Sequence, residues 1–406
     1  MNKLWVIGYG PGHPDFLTQR ARDLLDKAER ILSTDRIGAE DARVQHLGFG
    51  ELLDELRHTG AGLTVVLVSG DSGFYSAARL IVRDFGELYD VELLPGIGSL
   101  QYMSAALKVA WDDAELVSLH GRQASIVARV AYNAKVFALT GGDVSAATIC
   151  AELTAHRLGD VAVTVGTRLS YSDEQIVSGR ARELCGSTFD DLAVVYIENQ
   201  NAVNPAAALP DSAFIRGDVP MTKEEVRWLS LLRLAVEPGD TVYDIGAGTG
   251  SVAIEIARRA TDGFVYAIEA EERACELINQ NAAALGAANL EVIAGFAPQV
   301  LAGLPQPNKA FIGGSSGNML EICQALTDVS ADIRVVANAV TLQTLGDIQS
   351  AFAATNIAIL DIACINVAKA VRRGNYDMMT AQNPVYIITG QGGGGALGDE
   401  SGGSDD

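Results

Sequence analysis

Strand-length apolar runs alternate with helix-period stretches along almost the whole chain, and they do so in two successive series. This alternation is the signature of βα units and parallel sheets, so the fold class is α/β. In the first half the pattern predicts strands at Lys3–Ile7, Leu63–Val68, Val91–Leu94, Glu115–Leu119, Lys135–Leu139, Val161–Val165 and Leu192–Ile197. Helices are predicted at Thr18–Ala28, Gly73–Phe85, Ser99–Leu107 and Val144–His156. The stretch Glu198–Asp218 breaks the pattern. It holds Asn199, Asn201, Asn204, Pro205, Pro210 and Asp211 around an Ala run, and reads as a linker. A helix follows at Lys223–Leu234. The second series then has strands at Thr241–Ile245, Phe264–Glu269, Leu290–Ala294, Lys309–Ile312, Ile333–Asn338, Ile357–Ile365 and Val385–Thr389, the last two long enough to form an antiparallel pair. Gly390–Asp406 is rich in Gly, Ser and Asp, cannot bury apolar surface, and is expected to be disordered.

A chain of 406 residues suits two or three domains, and 48% hydrophobic residues supply their cores. With 30 Lys+Arg against 51 Asp+Glu the net charge is -21, which argues against nucleic acid or an anionic membrane as the main partner. No apolar run approaches the roughly 20 residues of a membrane-spanning helix. Leu4-Trp5-Val6-Ile7 is too short for a signal peptide, so a cytoplasmic location is expected. Cys150, Cys185, Cys275, Cys323 and Cys364 are far apart and read as ordinary buried thiols. Neither they nor the five His show a metal-ligand spacing, and no protein-bound metal is expected.

Asp244-Ile245-Gly246-Ala247-Gly248-Thr249-Gly250 follows a strand and opens a helix. Its glycines let backbone approach a ligand without a Cβ clash. A dinucleotide fingerprint, G-x-G-x-x-G, would need Gly where Ser251 stands. G-x-G-x-G with an acid two residues ahead is instead the pattern of class I S-adenosylmethionine (SAM)-dependent methyltransferases. Glu269 ends the next strand, where an acid can accept hydrogen bonds from both ribose hydroxyls, and Gly295-Phe296-Ala297-Pro298 follows the third. Three such features at successive strand ends mark the place where open α/β sheets bind ligands. The first half has three Gly-rich strand ends of its own: Gly8-Tyr9-Gly10-Pro11-Gly12, Ser69-Gly70-Asp71-Ser72-Gly73-Phe74-Tyr75 and Pro95-Gly96-Ile97-Gly98-Ser99. They are compatible with a small-molecule site or with simple βα turns.

Residues 1–200 resemble the tetrapyrrole methylase family. The resemblance rests on V-I-G-Y-G-P-G-H-P-D-F-L-T, S-G-D-S-G-F-Y, P-G-I-G-S, W-D-D-A and V-S-L-H-G-R. Many members carry Gly-Asp-Pro where this chain has Gly70-Asp71-Ser72, and the C5-methylating branch often lacks that proline. Residues 219–390 resemble decarboxylating C15-methyltransferases on M-T-K-E-E-V-R, D-I-G-A-G-T-G-S-V-A-I-E, G-F-A-P, F-I-G-G and A-N-A-V-T-L.

The resemblance implies a two-lobed tetrapyrrole methylase fold (lobes about 1–110 and 111–200), a linker at 201–218, a Rossmann-like class I methyltransferase fold with a seven-stranded sheet at 219–390, and a tail at 391–406. It implies one SAM site in each module. The activity implied is methylation of a precorrin at C5 and C15, with decarboxylation of the ring C acetate, in cobalamin biosynthesis. In the second module SAM would touch Thr222, Gly246, Ala247, Gly248, Thr249, Gly250, Glu269, Gly295 and Ala297, while Gly313, Gly314 and Asn338 would line the macrocycle side. In the first it would touch Gly10, Pro11, Gly70, Asp71, Gly73, Tyr75, Pro95, Gly96 and Ser99. Thr222 with Glu225 also fits a helix capping box, and Asp71 fits a helix N-cap. A polycarboxylate substrate on an acidic protein needs local cations. Arg122 beside His120 in the first module, and Lys223, Arg227, Arg372 and Arg373 in the second, are the candidates. A homo-oligomer, dimer or tetramer, is expected. Two other readings stay open: one active module fused to an inactive binding module, and an unrelated fused oxidoreductase.

Overall fold

The computed structural model describes residues 2–34, 37–58, 62–119, 126–141, 144–190 and 193–393. The chain divides into two compact units. The first contains β1 (Asn2–Gly8), α1 (Gln19–Lys27), β2 (Arg30–Ser33), β3 (Val44–His46), α2 (Phe49–Arg57), β4 (Thr64–Val68), α3 (Ala78–Phe85), β5 (Tyr89–Leu94) and α4 (Ser99–Leu107). Its first sheet is all parallel in the order β3-β2-β4-β1-β5. Every residue of Thr64–Val68 is buried, as expected of a central parallel strand covered on both faces. The order brings the C-terminal ends of β4, β1 and β5 side by side, so the three Gly-rich loops converge. A second sheet follows, made of β6 (Glu115–Ser118), β7 (Lys135–Leu139), β8 (Ala162–Thr167), β9 (Gln175–Arg180) and β10 (Ala193–Glu198) in the order β6-β7-β10-β8-β9. Only its β6–β7 pair is parallel. Leu100 and Met103 of α4 pack with Phe137, Val194 and Tyr196 of this sheet.

The second unit takes in residues 199–393 together with 126–134 and 155–158. Within it the stretch that reads as a linker is packed. Phe214 is buried in the core, and the Ile215 amide donates to Asn281 Oδ1 at 2.8 Å. The seven-stranded sheet runs Leu290–Ala294, Phe264–Glu269, Thr241–Ile245, Lys309–Ile312, Arg334–Ala339, Val385–Gly392, Ile357–Ile365 in spatial order. The last two of these pair antiparallel, as their lengths suggested. The order in which strands are added reverses at Thr241–Ile245, which has the second strand of the series on one side and the fourth on the other, both parallel to it. Such a switch point is where this architecture opens a crevice.

Several elements differ from the sequence expectation. β2, β3 and β9 and the hairpin Ala368–Arg373/Tyr376–Ala381 were not anticipated, nor were helices at Phe49–Arg57, Ile126–Tyr132 and Ala181–Leu184. The helix expected at Gly73–Phe85 begins only at Ala78, because the Asp71 turn and a left-handed Tyr75 (φ 47°) occupy the first residues. The last strand runs to Gly392, into the stretch read as a tail, and 394–406 lie outside the described residues. Of the cysteines, Cys364 is exposed and Cys185 half-buried, against the expectation of burial.

Candidate active site

In the second unit the loop after Thr241–Ile245 is built by three left-handed glycines, Gly246 (φ 73°), Gly248 (φ 57°) and Gly250 (φ 76°). The Gly246 backbone lies so close to the loop after Lys309–Ile312 that a Cβ there would stand 2.6 Å from the Gly314 carbonyl oxygen. The Gly313 amide donates to the Ile245 carbonyl at 2.8 Å, which ties the two strand ends together. Glu269 joins them. Its Oε1 accepts the Ala270 and Glu271 amides at 2.8 and 3.0 Å, and its Oε2 accepts the Gly248 amide at 2.8 Å. One lone pair of Oε2 is left for a ligand hydroxyl. Gly295 donates to the Glu269 carbonyl at 2.8 Å and Ala297 is buried beside it. The predicted cofactor residues Gly246 through Gly250, Glu269, Gly295 and Ala297, with Gly313 and Gly314, are thus brought to neighbouring strand ends.

Behind the loop stands Asp244, fully buried, with neither carboxyl oxygen in hydrogen-bond geometry to a described partner, and Thr249 Oγ1 is buried in the same condition. Burial pushes the Asp244 carboxyl up to about 7, with the Ala253 amide opposing and the Glu269 charge adding. A carboxyl with a raised folded pKa contributes stability below its unfolded value near 3.8 and loses it as pH rises through the folded value. Asp244→Asn should therefore gain ~2–3 kcal/mol on the parent between pH 5 and pH 8. Urea unfolding at the two pH values checks this, and an equal difference at both would contradict it.

Other assignments move. The helix Glu224–Leu234 is N-capped by Lys223, not Thr222, and no side chain caps it. The capping box is absent because Glu225 and Glu224 both reach Lys369 at 2.7 Å, while the Thr222 carbonyl accepts from Arg227. Arg227 is no substrate contact. It is 0% exposed and its donors go to Glu255, Asp211, Thr222 and Leu209. Arg372 lies on the exposed hairpin, engaged with Asp377 and the Gly374 carbonyl. Lys223 is partly exposed near Asp211. His120 and Arg122 lie outside the described residues. Asn338 sits at the end of its strand against Ser230, a contact that no sequence signal announced.

In the first unit Gly10 and Gly70 exchange backbone hydrogen bonds at 3.1 and 2.8 Å, joining two of the loops. A Cβ on Gly96 would stand 2.4 Å from the Gly8 oxygen and 2.5 Å from that of Gly70. Asp71 is not a helix N-cap. Its two oxygens accept the Gly73 and Gly96 amides at 2.8 and 3.0 Å and so clamp the second loop to the third. Ser99 opens α4 next to Gly98, and Tyr75 is half-exposed. Pro11 and Pro95 lie in the first and third loops. The ring of Tyr171, not anticipated from sequence, covers Gly12.

Residues 212–390 match the family described as Precorrin methyltransferase domain, and residues 3–185 match Tetrapyrrole (Corrin/Porphyrin) Methylases. A Sinorhizobium sp. protein named Precorrin-6Y C(5,15)-methyltransferase [decarboxylating] is 33% identical over 282 residues, 68% of either chain. The chain belongs to the precorrin-6Y C(5,15)-methyltransferase family. That membership makes it a SAM-dependent methyltransferase. A Pyrobaculum calidifontis protein, "Probable cobalt-precorrin-6B C(15)-methyltransferase (decarboxylating)", is 39% identical over 184 residues, 45% of this chain and 94% of its own. A solved structure of Precorrin-6y C5,15-methyltransferase from Geobacter metallireducens is 35% identical, covers 46% of this chain and 96% of its own, and has a TM-score of 0.43. Among the described residues no helix is long and apolar enough to cross a membrane.

Proposed function

We propose that the chain methylates a precorrin at C5 and C15 and removes the carboxyl group of the ring C acetate, with one SAM site in each unit. The observation that carries this reading is the paired main-chain cradle. In each unit Gly-rich loops from adjacent parallel strands approach so closely that a single added methyl would fill the space between them. The residues fit the cofactor: glycine backbone bare of side chains, an acid at the second strand end with a lone pair to spare, and behind the loop a buried acid with neither oxygen in hydrogen-bond geometry to a described partner. Bound there, SAM supplies a methyl group already activated as a sulfonium. The chain's own task is then to hold, orient and exclude water. Gly246 through Gly250, Gly295 and Ala297 form the walls, Glu269 takes one ribose hydroxyl on its remaining Oε2 lone pair, and Thr222 stands at the entrance to the following helix. Gly313, Gly314 and Asn338 edge the macrocycle side, with the partly exposed Lys223 a candidate cation for its carboxylates. In the first unit the corresponding group is Gly10, Pro11, Gly70, Asp71, Gly73, Tyr75, Pro95, Gly96 and Ser99.

Homo-oligomerisation is part of the proposal. Supporting it, Val371, Tyr376, Met378 and Met379 of the hairpin are exposed in the single chain, apolar surface of a kind that subunit contacts cover. The activity is tested by incubating the full chain with precorrin-6B and SAM and weighing the product. Two methyl groups gained with one carbon dioxide lost is the expected result. Unaltered mass would overturn the reading.

A further inference from the structure

Ser230 lies in the helix Glu224–Leu234, fully buried, outside every motif that identifies the site. Its hydroxyl is 2.8 Å from the Val226 carbonyl oxygen and 3.2 Å from Asn338 Oδ1. A serine hydroxyl has one proton, and both of these neighbours can only accept it. The shorter contact, to Val226, has the stronger claim. The Asn338 carboxamide shows the complementary fault: its Nδ2 is buried and without a partner. The two ends of a carboxamide have nearly the same shape, so the donor count decides which faces where. With the amide turned over, Nδ2 donates to Ser230 and Ser230 donates to Val226, which resolves the conflict at the hydroxyl and leaves a buried acceptor in place of the buried donor. The carbonyl oxygen then occupies the position of the orphaned amine.

That position matters because of the sheet register. Ile312 pairs with Ala337, which sets Asn338 level with Gly313 at the C-terminal edge of the sheet. Val336, two residues earlier and so on the same face, belongs to the core shared with Val226 and Leu231 of the helix. Asn338 therefore ends that face two strands from the loop that starts at Gly246.

We infer that Ser230 is a positioning residue: it fixes the Asn338 carboxamide with the oxygen, not the amine, at its buried outer end, leaving an acceptor without a described protein partner for a ring N–H of the substrate. The identity of that donor rests on the function proposed above; the orientation of the amide does not. Neutron diffraction from crystals of the full chain should place deuterium on the amide atom nearer Ser230, and the Ser230 deuteron toward Val226. Deuterium on the far amide atom would overturn the inference whatever the activity. In kinetics, Ser230→Ala should lower kcat for the C15 step on precorrin-6B by about tenfold or more, the scale of loss from a misplaced contact. The KM for SAM should stay within about twofold, since the cofactor cradle is untouched, and Ser230→Thr, which keeps the hydroxyl, should restore most of kcat. An unchanged kcat in Ser230→Ala beside an active parent defeats the inference. A parent inert on precorrin-6B counts instead against the proposed function, and the neutron result still decides the amide.

Discussion

Arg227→Met should destabilise the second unit by ~3–5 kcal/mol, the usual loss when one partner of a buried ion pair is removed. Its guanidinium is 0% exposed and donates to Glu255 at 2.7 Å, to Asp211 at 3.0 Å, and to the Thr222 and Leu209 carbonyls at 2.8 and 2.6 Å. It also stacks over the Phe214 ring at 4.8 Å. Methionine keeps much of the packing volume and none of the donors. Among the described residues Glu255, 1% exposed, would keep only Arg259 at 3.2 Å as an ion-pair partner, and two carbonyls would lose this donor. Urea titration at neutral pH measures the loss. Adding Glu255→Leu to Arg227→Met should recover about half of it or more, because the stranded charge goes too. If the double variant is as unstable as the sum of the singles, the charge explanation fails.

Calorimetric titration with S-adenosylhomocysteine should count two sites in the parent, and one each in Gly96→Ala and Gly246→Ala. At Gly96 the added carbon would sit 2.4 and 2.5 Å from two carbonyl oxygens. At Gly246 it would sit 2.6 and 2.7 Å from the Gly314 oxygen and nitrogen, at a φ of 73° that side chains rarely adopt. Backbone rather than a flexible side chain lies in the way in both cases, so the loops must part. Affinity at the altered site should fall by about a hundredfold or more, given ~1–3 kcal/mol for a strained φ and a comparable penalty for displaced backbone. A single site in the parent, or loss of the same site in both variants, would contradict the two-site reading.

What could be read from the sequence follows from how local its cause is. The strands Thr241–Ile245, Phe264–Glu269, Leu290–Ala294 and Lys309–Ile312 have the predicted bounds because each is a short apolar run ended by residues that turn. The Gly-rich loops were visible for a related reason, since a left-handed or crowded backbone demands glycine at that residue. By contrast, Ala368–Arg373 and Tyr376–Ala381 expose nearly every residue, so no apolar alternation marks them. Gln175–Arg180 is an exposed edge strand with the same silence. The side chains were harder still. Arg227 looked like a cation for a ligand because its acids, Glu255 and Asp211, come from separate elements. Asp71 looked like a helix cap, but its second partner, Gly96, stands on another strand end. Ser230 and Asn338 are 108 residues apart and share no pattern.

Both cradles have walls of main chain, and that has a consequence for how such a molecule can change over generations. Apart from the glycines, most residues along those loops could drift in identity while the hollow kept its outline. Little about the donor's fit is therefore adjustable by single replacements there. Under the proposed function, divergence in what gets methylated is then written on the opposite wall, where Asn338 is the proposed side-chain contact.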